Sequence, residues 1–217
     1  MDEFIFNALS EQKGRYYLME RDNNGEKVKC VQSIVEIIAG YANPALAFAK
    51  IIDPQCKIVT FTVTEAGYFY DPSSRQLNFD HACIKHDLVH GAVSPKTLFG
   101  YLAHGLAERK KQNMPPFTVQ SCDNIQGNGD LTKALLLSFC SKAYPDIVSW
   151  IEENVTFPNS MVDRITPAGS SAELEYANNI LKLNDKVPVT SETYRQWVIE
   201  DKYCNSRPNW ESVGVQL

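Results

Sequence analysis

Long apolar runs, closely spaced cysteines and a basic charge excess are all missing from this 217-residue sequence. No apolar run approaches the roughly 20 residues that cross a bilayer, and the acidic start lacks the basic segment and apolar core of a secretory signal. The six cysteines are scattered without a C-x-x-C motif, which indicates reduced thiols. These absences predict a cytoplasmic protein with no membrane partner.

The charge balance excludes a second class of partner. Lys and Arg number 21 against 26 Asp and Glu, so the formal net charge is −5. Binding to nucleic acid depends on clustered cations that neutralise phosphates, so nucleic acid is not predicted as a partner. A hydrophobic content of 44% and a charged content of 22% are ordinary for a globular protein. The length allows one substantial core, or one domain with a short extension.

The order of strand-like and helix-like segments indicates the fold class. Residues 15–20, 57–63 and 117–121 have the composition of strands, and amphipathic stretches separate them. This alternation predicts an α/β fold with a mostly parallel sheet. We expect residues 57–63 to be buried on both faces of that sheet, Ser94 to cap a helix over residues 95–113, and residues 213–217 to form a last strand.

Two polar segments follow apolar runs, SCDNIQGNG at residues 121–129 and VTFPNSMVDRITP at residues 155–167. In open α/β sheets, ligands bind at the carboxyl ends of the strands. The Asn124 amide could donate a hydrogen bond to a substrate oxygen and stabilise developing charge. It could instead cap the next helix, but Asn128 is better placed for that role. Asp163 could serve a site at this strand end, or it could form a structural ion pair with Arg164.

Acidic residues near two other predicted strand ends are candidates for cofactor binding. Glu20 ends the first strand and Asp22 follows it, where an acid can bind the adenosine ribose and favour NAD. A solvated strand-end acid is the alternative, and Arg21 leaves NADP open because it could pair with a 2′-phosphate. The turn that contains Thr64 and Glu65 follows the strand at residues 57–63, and taken alone it favours an ordinary β-turn.

Histidines and cysteines offer weaker candidates. His86 and His90 have the i,i+4 spacing of zinc ligands on a helix, and His81 lies nearby, but no third ligand with metal-site character is evident. We therefore predict surface or capping histidines and no metal. Cys122 would need a neighbouring base to act as a nucleophile, and the sequence shows none.

Several of these segments resemble one family. TEAGY at 64–68, SCDN at 121–124 and the segment at 155–167 are similar to segments of the polyol-specific long-chain dehydrogenases, the family of mannitol 2-dehydrogenase and fructuronate reductase. Ala66 stands where the family has glycine. The resemblance extends from about residue 6 to residue 217. It implies a Rossmann-like fold, a substrate contact at Asn124, a carboxylate near the active site at Asp163, and cofactor contacts at Glu20, Asp22, Thr64, Glu65 and Asn124.

Two family features are not found in the sequence. Only Gly14 precedes Glu20, so the pyrophosphate-binding glycine loop is not seen, and neither is the catalytic Lys-x4-Asn-x2-His pattern. The resemblance therefore implies an incomplete member. Residues 1–190 would form a dinucleotide-binding domain that lacks its first strand, and residues 191–217 would form closing strands that lead towards an absent helical domain.

The implied activity is hydride transfer between NAD and a sugar alcohol and ketose pair of the mannitol and fructose type. A uronate is the alternative substrate, and NADP is the less favoured cofactor. Because the general base and the glycine loop are not found, we expect this chain alone to be inactive. A non-catalytic binding or assembly protein that retains the scaffold is the alternative of a different class. The sequence makes no prediction of the oligomeric state.

Overall fold

The computed structural model describes residues 3–217. These residues form two compact units, which are described separately below. The first unit contains residues 3–43 and 163–195, and the second contains residues 44–162 and 196–217. The domain boundary that the sequence suggests after residue 190 stays a prediction. The boundary between the two compact units lies after residue 195.

Strands and helices alternate along much of the chain. The strands are β1 Tyr16–Asp22, β2 Gly25–Val31, β3 Ile58–Phe61, β4 Tyr70–Asp71, β5 Gln76–Leu77, β6 Thr118–Ser121, β7 Ser160–Asp163, β8 Val189–Glu192 and β9 Gln196–Ile199. The α-helices are α1 Glu3–Glu11, α2 Pro44–Ile52, α3 Ala82–His90, α4 Leu98–Lys111, α5 Asn128–Ala143, α6 Val148–Asn154 and α7 Ser171–Glu175. Short 3-10 turns cover Glu65–Tyr68, Pro145–Ile147 and Trp210–Val213, and a π-helical turn covers Tyr176–Ile180.

The first unit is built on a three-stranded sheet in the order β2-β1-β8. Strand β1 pairs antiparallel with β2 through a tight hairpin and parallel with β8. Helix α1 precedes this sheet and ends at Glu11. A turn follows it to Gly14, whose φ of +74° is readily adopted by glycine and whose N–H donates to the Leu9 carbonyl at 2.8 Å.

The second unit contains the parallel pair β3 and β6, with α3 and α4 in the connection between them. Its core is a single apolar cluster in which helices α4 and α5 contribute Phe99, Leu102 and Leu135, and Phe117 and Val119 come from β6 and the residue before it. All five side chains are at most 1% exposed. The predicted α/β class with parallel strand pairing is confirmed.

The prediction for residues 57–63 is wrong in one respect. Strand β3 is half-buried rather than buried on both faces, with Thr60 exposed, whereas all four residues of β6 are buried. Among residues 3–217, β6 is the only ladder partner of β3. Strand β6 has a second neighbour, since the Val119 N–H donates to the Thr156 carbonyl at 3.0 Å. Neighbours on both sides account for the fuller burial of β6.

Two element boundaries also differ from the prediction. Helix α4 begins at Leu98 and is capped by Thr97, whose hydroxyl accepts from the Gly100 N–H at 3.2 Å, not by Ser94. The buried Asp87 carboxylate accepts the N–H groups of Lys96 and Thr97, which holds both outside the helix.

Residues 213–217 do not form a strand. A 3-10 turn ends at Val213, and a single parallel bridge joins Val198 to Gln216. No helix among residues 3–217 is both long enough and apolar enough to cross a membrane.

Candidate functional site

The carboxyl ends of β3 and β6 meet at one edge of the second unit. Phe61 pairs with Ser121 in parallel register, and the Cys122 N–H donates to the Phe61 carbonyl at 2.8 Å. Thr64 and Asn124 each lie three residues beyond this pair. The geometry therefore brings together two of the predicted site segments, as expected for neighbouring parallel strands.

Asn124 is exposed and lines a cavity of about 550 Å³ within the second unit. Gln126, Ser160, Met161 and Glu200 are among the other residues around it. No hydrogen bond to another residue in the range 3–217 engages the Asn124 side chain. Its amide is consequently free to donate to an oxygen of a ligand in the cavity.

Asn128 does not cap the helix that follows, contrary to the prediction. Helix α5 begins after Gly127, which has a φ of +66° and provides no side-chain cap. The fully buried Asn128 amide instead donates to the Asp123 carbonyl at 2.9 Å and to the Ser160 carbonyl at 3.0 Å, and its oxygen accepts the Ser160 N–H at 2.9 Å. Asn128 thus joins the two polar segments that the sequence singles out.

The cap of α5 comes from Asn159, in the second of those segments. Its Oδ1 accepts the N–H groups of Gly129 at 2.9 Å and Asp130 at 3.1 Å, and its Nδ2 donates to the Asp130 carboxylate at 3.0 Å. A Cβ on Gly129 would lie 2.7 Å from the Pro158 carbonyl oxygen and would overlap the Phe157 carbonyl. Glycine is required there because the two backbones approach so closely.

Glu200 holds Asn159 in turn. Its carboxylate accepts the Asn159 N–H at 2.9 Å, and its own N–H donates to the Asn159 carbonyl at 3.0 Å. The hydrogen bond from Asn159 lowers the pKa of Glu200 below its ordinary value, although burial opposes the shift. Glu200 is therefore ionised at neutral pH, and at least one of its oxygens is already engaged.

Thr64 and Glu65 are both exposed at the end of β3. Thr64 has a φ of +59° and a ψ of 172°, close to a region that is ordinarily reached only by glycine and that costs about 1–3 kcal/mol. Phe69 also has a positive φ, of +50°, but Ala66 does not. The residues with a positive φ in this turn are Thr64 and Phe69. Ala66, which stands where the family has glycine, is therefore not strained by a positive φ.

Glu20 has a different environment from the one predicted. It is the fifth of seven residues in β1 rather than the strand end, and it is only 5% exposed. Its two carboxylate oxygens form ion pairs with Lys29 and Arg164, each at 2.5 Å. These cations, Lys29 foremost, hold the pKa of Glu20 below its ordinary value against the opposing effect of burial.

Asp22 and Arg21 are also engaged within the first unit. Asp22 ends β1, and its carboxylate accepts the Asn24 N–H at 2.7 Å and the Thr193 hydroxyl at 3.2 Å. Arg21 forms an ion pair with Glu26 at 2.5 Å and approaches Glu173 at 3.8 Å. Glu20 and Asp22, the two predicted ribose ligands, therefore both have partners within the protein, and so does Arg21, the cation considered for a 2′-phosphate.

Asp163 is the last residue of β7, and its side chain is exposed. The Asp163 carboxylate forms no hydrogen bond or ion pair with another residue of the described range 3–217. The alternative that Asp163 pairs with the adjacent Arg164 is not observed, since Arg164 binds Glu20 and the Glu192 carbonyl. A free carboxylate remains available at this position.

The histidines have structural contacts. His81 caps α3 by accepting the Cys83 N–H at 3.2 Å, as one of the two predicted roles requires. His86 contacts the buried Asp87 at 3.0 Å, and the rings of His86 and His90 lie 5.2 Å apart. Within the described part of the chain, His, Cys, Asp and Glu side chains form no group of three or more that could hold a metal ion.

Cys122 lies beside Asn124 in sequence but has the properties of a structural thiol. Burial, with a smaller contribution from Asp123, raises its pKa to about 11. A thiol is nucleophilic as the thiolate, which this shift suppresses at neutral pH. The structure therefore gives no support to a thiol-nucleophile role.

The parallel β3-β6 pair and the polar cluster at its carboxyl edge define the class, a Rossmann-like α/β domain with a candidate ligand site at the strand ends. The sequence model of the family described as Mannitol dehydrogenase Rossmann domain matches residues 1–212, and the chain belongs to that family. The predicted family and its Rossmann-like fold are thereby confirmed. The family is enzymatic, and relatives bearing its name are oxidoreductases.

Two curated relatives illustrate the similarity. Mannitol 2-dehydrogenase of Phaeosphaeria nodorum is 40% identical over 210 residues, which are 97% of this chain and 37% of that protein. Mannitol 2-dehydrogenase of Neosartorya fischeri is 40% identical over 217 residues, which are 100% of this chain and 43% of that protein. The chain spans about two fifths of the length of these relatives.

Two solved structures have the same fold. Mannitol 2-dehydrogenase of Pseudomonas fluorescens, in a ternary complex with NAD and D-mannitol, superposes with a TM-score of 0.94 at 37% identity over 99% of this chain and 44% of that one. A substrate-free D-sorbitol dehydrogenase superposes with a TM-score of 0.94 at 34% identity over 100% of this chain and 45% of that one.

Proposed function

We propose that this domain serves an NAD-dependent oxidoreductase that interconverts a sugar alcohol and a ketose of the mannitol and fructose type. The free Asn124 amide at the shared edge of β3 and β6 is the observation that carries the proposal. The relative solved with NAD and D-mannitol supports the choice of cofactor and substrate class. A uronate remains the alternative substrate.

The predicted cofactor residues differ in how free they are to contact NAD. Thr64, Glu65 and Asn124 are exposed at the carboxyl edge, where a dinucleotide lies in folds of this class. Glu20 is buried between Lys29 and Arg164, whereas Asp22 is exposed and accepts one hydrogen bond on each oxygen. The role of both acids as ribose ligands stays a prediction, and the proposal does not depend on them.

Each of the proposed residues has a limited chemical task. Bound NAD would accept or supply the hydride. The Asn124 amide would donate to the alcohol or carbonyl oxygen and stabilise the charge that develops there. The free carboxylate of Asp163 would orient a cationic group that holds the alcohol proton.

The cavity beside Asn124 contains no candidate for that cationic base. None of the described residues that line it is a lysine or histidine, and the Glu200 carboxylate already accepts the Asn159 N–H. Loss of general-base catalysis typically costs 10²–10⁴-fold in rate. We accordingly propose that the 217-residue chain by itself has little or no dehydrogenase activity, which leaves a non-catalytic binding role for the chain as the alternative.

Thermal unfolding with and without dinucleotides tests the cofactor assignment. We expect NADH to raise the melting temperature more than NADPH, because a ligand that binds only the native state stabilises it. Asn124→Ala should reduce the shift produced by NAD with mannitol present, and Asn23→Ala, at an exposed asparagine in the β1–β2 turn, is the matched control. A melting temperature indifferent to NADH would contradict the cofactor assignment. Mannitol-dependent NADH formation by the purified chain would contradict its proposed inactivity.

A further inference from the structure

The buried Asp123 carboxylate joins the end of β6 to the turn after β3. Asp123 is 4% exposed, and both of its oxygens accept the Val63 N–H at 3.1 Å. Its Oδ1 also accepts the Thr64 N–H at 2.8 Å. Hydrogen bonds to an ionised acceptor are among the stronger ones in proteins, so this residue anchors the turn to the neighbouring strand.

A buried tyrosine completes the contact. The hydroxyl of Tyr68, which is fully buried, donates to Asp123 Oδ2 at 2.9 Å and lies 2.6 Å from the Ser121 hydroxyl. The Asp123 N–H donates to that same Ser121 hydroxyl at 3.1 Å. Because the single Tyr68 proton points to the carboxylate, Ser121 donates to Tyr68, and the three residues form a closed ring of hydrogen bonds.

Thr64, the residue with the strained backbone, is held directly by the Asp123 carboxylate of this ring. Thr64, at a φ of +59°, lies between the Val63 and Glu65 peptide groups, and the Asp123 bonds fix the peptides on its amino side. Strained backbone of this kind persists only where the surrounding structure determines it, and it concentrates at ligand sites. Thr64 and Glu65 are both exposed.

We propose that Asp123, supported by Tyr68, is a positioning residue that holds Thr64 in its left-handed conformation and so presents Thr64 and Glu65 beside Asn124. Asp123 itself is buried and does not contact a ligand; it acts through Thr64. Asp123 holds Thr64 in place whether or not a ligand is bound. The use of Thr64 and Glu65 in binding a cofactor rests on the proposed function. The experiments below measure the positioning without any ligand.

Amide hydrogen exchange on the full chain gives the first test. In Asp123→Asn, the carboxylate is replaced by an amide that cannot accept all three donors, so exchange at residues 63–68 should rise about tenfold or more, the scale of one lost hydrogen bond to a charged group. Exchange in helices α4 and α5 should change much less. Tyr68→Phe removes only one donor and should produce a smaller increase in the same segment.

Asp87 supplies a matched control. It is also buried, at 3% exposure, and its carboxylate also accepts two backbone N–H groups and a hydroxyl, from Lys96 and Thr97. Asp87→Asn should raise exchange at residues 96–100 and leave residues 63–68 unchanged. Unprotected Val63 and Thr64 amides in the unmodified chain would overturn the proposal, as would an equal rise throughout the chain in Asp123→Asn.

A double-mutant cycle tests whether Asp123 acts through Thr64. Glycine adopts a positive φ without penalty. In Thr64→Gly, residue 64 should therefore keep its conformation without the hydrogen bonds from Asp123. We expect Asp123→Asn to raise the unfolding constant about tenfold or more in the threonine background and several-fold less in the Thr64→Gly background. The Asp87→Asn effect should be the same in both. An Asp123→Asn effect that is identical in both backgrounds would overturn the proposal.

Discussion

Asn128 and Ser160 hydrogen-bond in both directions: the Asn128 amide donates to the Ser160 carbonyl at 3.0 Å and accepts the Ser160 N–H at 2.9 Å. An asparagine side chain is the group that can do this, since it carries a donor and an acceptor on one planar amide. The contact fixes the turn after β6 against β7, and Asn124 lies between the two anchored points Asp123 and Asn128. The exposed candidate residue is thus held by buried neighbours.

The first prediction concerns this amide. Asn128→Asp replaces the donating Nδ2 with an acceptor that faces the Asp123 and Ser160 carbonyls. We expect a loss of about 2–4 kcal/mol in the free energy of unfolding, because buried acceptors lose their donor. Urea unfolding measures it. Asn124→Asp, the same change at an exposed residue, should alter stability by less than about 0.5 kcal/mol. Equal effects of the two substitutions would contradict the account.

The second prediction concerns the close approach of Gly129 to Pro158. Gly129→Ala places a Cβ 2.7 Å from the Pro158 carbonyl oxygen, and backbone cannot move aside as a side chain can. We expect a destabilisation of about 1–3 kcal/mol from overpacking, measured by thermal unfolding. Gly169→Ala is the control, since no atom of the described residues 3–217 lies within 4 Å of its added Cβ. A Gly129→Ala chain as stable as the control would show that the helix can shift.

The third prediction concerns the buried guanidinium of Arg109. It is 1% exposed, stacks on Phe117 at 5.0 Å, and donates to four carbonyls, those of Ile51, Asp53, Cys56 and Pro115. Burial lowers its pKa from the ordinary value.

Arg109→Lys retains a charge but offers a single nitrogen that cannot reach four acceptors. We expect a loss of about 3–5 kcal/mol in chemical unfolding, the cost of a buried charge left partly unsatisfied. The same change at the exposed Arg75 of the same unit should have little effect. A stable Arg109→Lys chain would mean that water or another group replaces the lost donors.

The fourth prediction concerns pH. Lys29 and Arg164 lower the pKa of Glu20 below its ordinary value of 4.5 in the folded chain. A group with a lowered folded-state pKa stabilises the fold above its unfolded pKa, and this stabilisation is lost as the pH falls through the folded-state pKa. Glu20→Gln should therefore be less stable than the unmodified chain at pH 7, and the difference should shrink below about pH 4.5.

Urea unfolding at several values between about pH 3 and pH 7 measures this difference. Glu152→Gln, at an exposed position, should follow the unmodified chain at every pH. Curves for Glu20→Gln and the unmodified chain that stay parallel throughout would show that the Glu20 ion pairs contribute no pH-dependent stability.

The fifth prediction concerns thiol reactivity. Burial raises the pKa of Cys122 to about 11 and that of Cys140 to about 12, whereas Cys30 is exposed. At pH 8, roughly one Cys122 in a thousand is a thiolate, so iodoacetamide should label Cys30 first. Peptide mass spectrometry follows the labelling, and the chain in urea, where all six cysteines should react, is the control. Labelling of Cys122 as fast as Cys30 would restore its candidacy as a nucleophile.

Sequence patterns were most informative where structure is local. The parallel α/β class follows from the alternation of strand-like and helix-like segments. The position of Asn124 just past a strand also follows from local pattern, and the family segments pointed to the Rossmann-like fold. Each pattern is recognised in short stretches of the chain, without knowledge of the contacts between them.

Contacts between distant segments were not predictable in the same way. Glu20 has the position of a strand-end acid in the sequence, but β1 continues to Asp22, and Arg164 reaches Glu20 from 144 residues away. Asn128 has the position of a helix cap, but Asn159, 31 residues away, takes that role. A preference for capping identifies suitable side chains, whereas the packing decides which one reaches the helix end.

The sequence by itself determined the family, the α/β class and the exposed polar residues at the strand ends, because periodicity, residue conformational preference and family segments are all written along the chain. The tertiary structure alone decided which polar groups are free and which are occupied. It buried Asp123 against Thr64 and Tyr68, left the Asn124 side chain without a hydrogen-bond partner in the described range, and paired Glu20 with Lys29 and Arg164. The physical reason is that hydrogen bonds and ion pairs depend on distance in space, which folding sets between residues far apart in sequence.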